Sequence, residues 1–242
     1  LLQSCDEGEQ RVPVVGFSHM RRQAKRWEDD RGRRRPGQAL VEVRDRDGHD
    51  QGFGIDRGGD VVTEAIAAMD LFVVFTASFR MRYVLFVIRH GRRNVMHFNV
   101  TEHPTARWTA QQIVEAFPFD TAPRYLLRDR DAIYGKTVQQ RIKSLAIEDA
   151  LSAHRSPWQN PFVERVIGSI RRDCLDHVIV LNERHLRRIF REYFGCYHRC
   201  RTHLSLSKDS PKPRTVEAPD LGKVTAFTFV GGPHHRYGRL AA

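Results

Sequence analysis

The chain has 242 residues, of which 40% are hydrophobic, with a formal net charge of +11 and a sequence pI of about 10.0. That length suits one large domain or a core with appendages, and the excess of Lys and Arg points to a polyanionic partner, most simply nucleic acid. No apolar run is long enough to span a bilayer, the N-terminus lacks a signal-peptide core, and Cys5, Cys174, Cys196 and Cys200 follow no secreted disulfide spacing. A membrane protein and a disulfide-stapled secreted protein are thereby set aside, and a reduced cytoplasmic setting is expected. The chain begins on Leu rather than Met, as a fragment does.

Residues 1–62 are dominated by Arg, Asp and Gly, as in RRQAKRWEDDRGRRRPG, and show no sustained period of 2 or 3.6. Such composition buries too little apolar surface to offset the entropy of ordering. Two readings stay open: a basic arm that grips phosphates, or a stretch that is not native coding sequence. From Thr63 the character changes. IAAMDLFVVFTA (66–77), RYVLFVIR (82–89) and NVMHFNVT (94–101) predict three strands of an antiparallel meander. ARWTAQQIVEAF (106–117) has helical spacing, PRYLLRD (123–129) reads as a short buried strand, and KTVQQRIKSLAI (136–147) as an amphipathic helix. EDALSAH is a candidate strand leading into a loop. In SPWQNPFVERVIGSIRRDCLDH, Asn160 stands as an N-cap with Pro161 at the first helical position. Val163, Val166, Ile167, Ile170 and Cys174 then mark one apolar face. A basic helix over 183–201 follows. The order predicts an α/β fold, a mixed sheet with helices on its faces.

Three carboxylates stand out. Asp70 interrupts a strongly apolar strand, where a lone buried carboxylate costs several kcal/mol unless it is paired, bonded or metal-bound; the alternative is an edge position facing solvent. Asp129 ends the strand PRYLL, with Asp131 two residues on, although a DRD turn is also ordinary turn chemistry. Glu164 lies in a first helical turn, where a carboxylate complements the helix dipole. Converging, the three could not all stay ionised without cations, and hard oxygen donors favour Mg²⁺ or Mn²⁺ over zinc. Two ions about 4 Å apart would suit in-line phosphoryl transfer.

MDLF around Asp70, RYLLRDRDAIYG around Asp129, RSPWQNPFVERVIGSIRRDCLDHV around Glu164 and the later YHRCRTHLSLSKDSPKPR together resemble the catalytic core of retroviral-type integrases and of bacterial insertion-sequence transposases with a DDE triad. The 34 residues between Asp129 and Glu164 come close to that family's spacing. The resemblance covers the chain from about Ala65. It implies a ribonuclease-H-like fold with helices on both sheet faces, and division into an N-terminal segment 1–62, an integrase core 63–203 and a basic tail 204–242. It also implies metal-dependent DNA strand cleavage and transfer by a homo-oligomer on DNA ends and target in the bacterial cytoplasm, with no membrane partner. Asp70, Asp129 and Glu164 become the catalytic metal ligands, with Asp131 as alternative to Asp129 on the same strand face. Arg165, Arg171, Arg172, Trp158 and Asn160 become candidates for DNA contact, against solvated arginines, a packed Trp and a simple cap. Arg184, Arg187, Arg188 and Arg191 pose the same choice. The departure is that no helix-turn-helix is legible in residues 1–62. An inactive remnant that only binds DNA, and a nuclease of the same fold, remain the alternatives.

Cys196, His198, Cys200 and His203 in GCYHRCRTH invite a zinc reading, but the spacing is not a standard finger and the cysteines share a helical face. His234 and His235 lie in a Gly/Pro-rich basic tail that reads as a small strand or arm.

Overall fold

A computed structural model describes residues 40–44, 50–54, 65–131, 133–152, 160–232 and 234–240. Most of 1–62, the end of the candidate strand EDALSAH and Trp158 lie outside these. Two strands, β1 (Leu40–Arg44) and β2 (Asp50–Gly54), fall within the stretch whose sequence shows no period. The meander follows as β3 (Ile66–Phe75), β4 (Met81–Arg89) and β5 (Asn94–Thr101). Helix α1 (Ala106–Ala116) leads to β6 (Tyr125–Arg128), α2 (Lys136–Ser144) and β7 (Glu148–Leu151). Helices α3 (Pro161–Asp173) and α4 (Glu183–Arg199) then precede a separate hairpin of β8 (Lys223–Phe229) and β9 (His234–Leu240).

The main sheet runs β2-β1-β7-β6-β3-β4-β5. β3 pairs antiparallel with β4 and parallel with β6, and β6 pairs parallel with β7, so the sheet is mixed. Period-2 alternation divides β3 between two cores. Ile66, Ala68, Phe72 and Val74 pack with Val163, Val166 and Ile170 of α3 and Leu186, Ile189 and Phe190 of α4. Ala67 and Met69 pack instead with Ile113 of α1 and Val138 and Ile142 of α2. Helices thus cover both faces, as the sequence predicts. Local chemistry sets the ends: the Thr105 hydroxyl caps α1 by accepting from the Trp108 N–H at 3.1 Å, and Asn182 caps α4 by accepting from the His185 N–H at 2.9 Å.

Candidate active site

The alternation that builds the core also aims the carboxylates. Asp70 has the parity of Ala68 and Phe72, so it faces the α3/α4 side of β3. Asp129 has the parity of Tyr125 and Leu127, which face the same side, and it follows the last residue of β6. The parallel pairing Ala68↔Leu127 is the last between β3 and β6; Asp70 and Asp129 are each two residues further on. Neighbouring strands are about 4.8 Å apart, so the two carboxylates rise from adjacent positions. Glu164 comes from the first turn of α3, the helix packed on this face.

The electrostatics record the convergence. Asp70 is held well above the ordinary carboxylate range, first by burial, then by the charges of Asp129 and Glu164 and, more weakly, Asp131; the Leu71 N–H, donating to Asp70 Oδ1 at 2.7 Å, opposes this. Glu164 is raised by burial and by Asp129, with Arg171 opposing. Asp131 is turned into local backbone bonds: its N–H donates to Asp129 Oδ1 at 3.3 Å, and its Oδ1 accepts from the Ile133 N–H at 3.3 Å. Mutually repelling, partly buried carboxylates from two strands and a helix form a donor set of the kind that suits a hard divalent cation. Among the described residues, however, no three His, Cys, Asp or Glu side chains are gathered closely enough to hold a metal ion as they stand.

The other candidates separate. Arg165, Arg171 and Arg172 are exposed on α3, with the Arg171 guanidinium 5.9 Å from the Phe72 ring centre. Asn160 and Pro161 take the expected positions, but the Asn160 side chain makes no cap bond and its Oδ1 is buried without a partner among the described residues. Arg187 is engaged in structure, bonding Glu183, Asn99 and the Val100 carbonyl, while Arg184, Arg188 and Arg191 are exposed. His198 Nε2 accepts from the Val95 N–H at 2.9 Å, which ties it to β5. His234 Nε2 meets the Asp173 carbonyl at 2.5 Å.

Sequence reasoning missed Tyr134. Its phenol is buried, with its hydroxyl unpartnered among the described residues, and is pushed well above its usual value by burial and then by Asp129, Asp70 and Asp131. Its position within RDRDAIYG was the available signal. It also missed a recess on the next face of α3, lined in part by Arg93, Arg165, Arg201 and His203. These residues are scattered over more than a hundred positions, so no local pattern announces them.

Residues 145–211 match the family model described as an integrase core domain. No curated protein matches the chain. Among solved structures it is similar to a simian T-cell lymphotropic virus intasome in complex with PP2A regulatory subunit B56 gamma, at 14% identity and a TM-score of 0.52 over 79% of this chain and 67% of that one. It is also similar to the HTLV-2 integrase catalytic core domain in complex with magnesium, at 12% identity and a TM-score of 0.48 over 63% and 97%. The catalytic domain of Mos1 mariner transposase gives 14% and 0.49 over 55% and 71%. At 14% identity the likeness to the intasome structure is one of fold, and it is the fold expected: a ribonuclease-H-like mixed sheet of integrase type. The family match agrees with the expected role in DNA integration and transposition. No helix among the described residues is long and apolar enough to cross a membrane.

Proposed function

With an integrase-type core as premise, we propose that this chain is the catalytic part of a DNA transposase or integrase, which cleaves a DNA strand and joins its freed 3′ hydroxyl to target DNA. The observation that carries the reading is the convergence on Asp70: charges from a second strand and from a helix both bear on a carboxylate that burial already strains. A structural role gives no reason to crowd like charges, whereas a metal-dependent site requires it.

Asp70, Asp129 and Glu164 are the side chains that would hold Mg²⁺ or Mn²⁺, in two ions, with Asp131 as the alternative to Asp129. Bound metal supplies activation of water and of the 3′ hydroxyl and neutralises charge at the reacting phosphate. The chain's own residues do the rest. Strands β3 and β6 fix two carboxylates on a rigid sheet, so the third, on α3, is the one whose placement tunes the site. Burial among apolar side chains lowers the local dielectric and strengthens each interaction with developing charge. Arg171, beside Glu164, favours the ionised carboxylate, the form that ligates. The exposed Arg165, Arg171 and Arg172 lie on the same helix to meet phosphates, the bulk of protein–DNA contacts.

The test is cleavage and joining of a short duplex carrying the element's end, with Mg²⁺ or Mn²⁺, for wild type and Glu164→Gln. Metal-dependent joined products that vanish in the variant are expected. Activity unchanged in Glu164→Gln would overturn the site. Hydrolysis of RNA–DNA hybrids without joining would move the reading to a nuclease of the same fold. A second reading, a remnant that binds DNA without cutting it, draws on the absence of a ready metal cluster among the described residues. DNA binding with no product under either metal would favour it.

A further inference from the structure

About 100° around α3 from Glu164, three guanidinium groups from distant parts of the chain meet in one recess. Arg93 comes from the β4–β5 turn, Arg165 from α3 and Arg201 from the segment after α4, and the His203 imidazole lines the recess beside them. Phe162, Val166 and Tyr197 supply the apolar walls. The cavity volume is about 40 Å³, a few times the roughly 10–15 Å³ that one water needs, so the recess admits a group of several atoms.

Charge in this recess is unbalanced. Arg201 pairs with Asp173, and that is its ion pair among the described residues. Arg93 has a different anchor, its guanidinium lying 4.9 Å from the Phe162 ring centre, and neither Arg93 nor Arg165 has a carboxylate partner among the described residues. His203 Nε2 is buried with no hydrogen-bond partner among them, its ring set 5.3 Å from that of Tyr197. Burial and the charges of Arg93, Arg201 and Arg165 hold that imidazole down at about 4, and burial, then Arg165, lowers Arg93. Like charges drawn together over apolar walls repel unless an anion sits between them. Guanidinium forks match phosphate oxygens in geometry as well as charge.

We propose that Arg93, Arg165, Arg201 and His203 form a pocket for one backbone phosphate of the bound nucleic acid, distinct from the carboxylate centre. The nucleic-acid assignment rests on the proposed function: Arg165 directly follows Glu164, so a strand whose scissile phosphate lies at the carboxylates passes this recess with another of its phosphates. The pocket then fixes the strand's register, a positioning role. A free phosphate ion has the same recognition chemistry, and the experiment separates the two.

The measurement is DNA affinity as a function of salt for wild type and the Arg93→Gln/Arg165→Gln double variant. Arg107→Gln/Arg141→Gln serves as control, removing the same charge from α1 and α2 on the opposite sheet face. Loss of one phosphate contact is expected to lower the slope of log K against log salt by about 1, with weaker binding to every sequence. The control keeps the wild-type slope. A double variant with the control's slope and affinity overturns the pocket. If the double variant does not fold, Arg165→Gln alone, an exposed change, carries the same reading. In parallel, the His203 ring resonances should move when duplex is added; movement with inorganic phosphate but not with duplex would replace the nucleic-acid assignment by a free-ion site. Failure of this proposal is distinguishable from failure of the function: cleavage with an unchanged slope sinks only the pocket, and a reduced slope without cleavage sinks only the strand-transfer reading.

Discussion

Arg128 and Asp129 are neighbours in sequence yet belong to two opposite electrostatic regimes. Arg128 is 2% exposed and satisfied: it meets Asp149 of β7 through two bonds of 2.8 and 2.6 Å and lies 5.3 Å from the Tyr134 ring centre. Asp129, one step along and on the other face, adds charge to Asp70 and Glu164, which are already raised by burial. One cluster is a closed ion pair that ties β6 to β7. The other is a set of like charges, Asp70, Asp129 and Glu164, in which Asp129 raises both of the others. The difference teaches how to read a buried charge: a pair explains itself within the fold, and a crowd of one sign asks for a ligand.

The largest expected effect breaks the comparison on its functional side. Asp129→Asn should reduce metal-dependent strand cleavage by at least about 10³-fold, the scale of removing a member of a catalytic unit, with the folding transition left in place. Asp131→Asn, which disturbs backbone bonds next to the site, should cost less than about tenfold. Steady-state cleavage rates for the two variants decide between the residues, and the reverse order would make Asp131 the ligand.

On the structural side, Asp149→Leu leaves Arg128 buried and uncompensated, which costs about 3–5 kcal/mol. Chemical denaturation reads this directly. Arg128→Met/Asp149→Leu, which removes both charges, should recover most of that loss. If the single change were as mild as the double, the pair would have no claim to closure.

Much of this architecture is legible in the sequence because its signals are local. The three strands of the meander and the four α-helices among the described residues follow from runs and periods, and the predicted 94–101 strand coincides with β5. Asp70 stands out because it breaks an apolar run, and Asp129 because it ends one. What is not legible depends on contacts between distant positions. The Arg128–Asp149 pair spans two strands separated by α2, and the cationic recess draws on Arg93, Arg165 and Arg201. β1 and β2 arise in a stretch with no period, where pairing with β7 rather than local pattern makes the strand. Tyr134 reads as an ordinary core aromatic until the carboxylates around it are known.

The pH dependence sharpens the comparison, because the buried titratable groups act in opposite directions. His90 is buried, with neither ring nitrogen partnered among the described residues, and burial and Arg93 hold it down at about 4. The unfolded chain binds that proton at about 6.5, so stability from a neutral His90 is present above 6.5 and lost as pH falls towards 4. At about 1.4 kcal/mol per unit, the loss reaches about 3 kcal/mol. His90→Leu should flatten the stability curve between those values. Asp70 and Glu164 have the opposite sign. Their raised values favour the folded state at low pH, and this stability is lost as pH rises from about 4 through the raised values.

That last loss is what a cation should restore. At neutral pH the metal-free protein holds its carboxylates against one another, so Asp70→Asn should stabilise it by relieving the repulsion from Asp129 and Glu164. Added Mg²⁺ or Mn²⁺ should do the reverse for the two proteins. Wild type should gain about 2.7 kcal/mol at a metal concentration a hundred times its Kd, and Asp70→Asn little or nothing. Thermal melts with and without metal are enough to see both effects. If Asp70→Asn destabilised the metal-free protein and metal left the wild-type transition unmoved, the carboxylates would be structural after all, and the contrast with the Arg128–Asp149 pair would disappear.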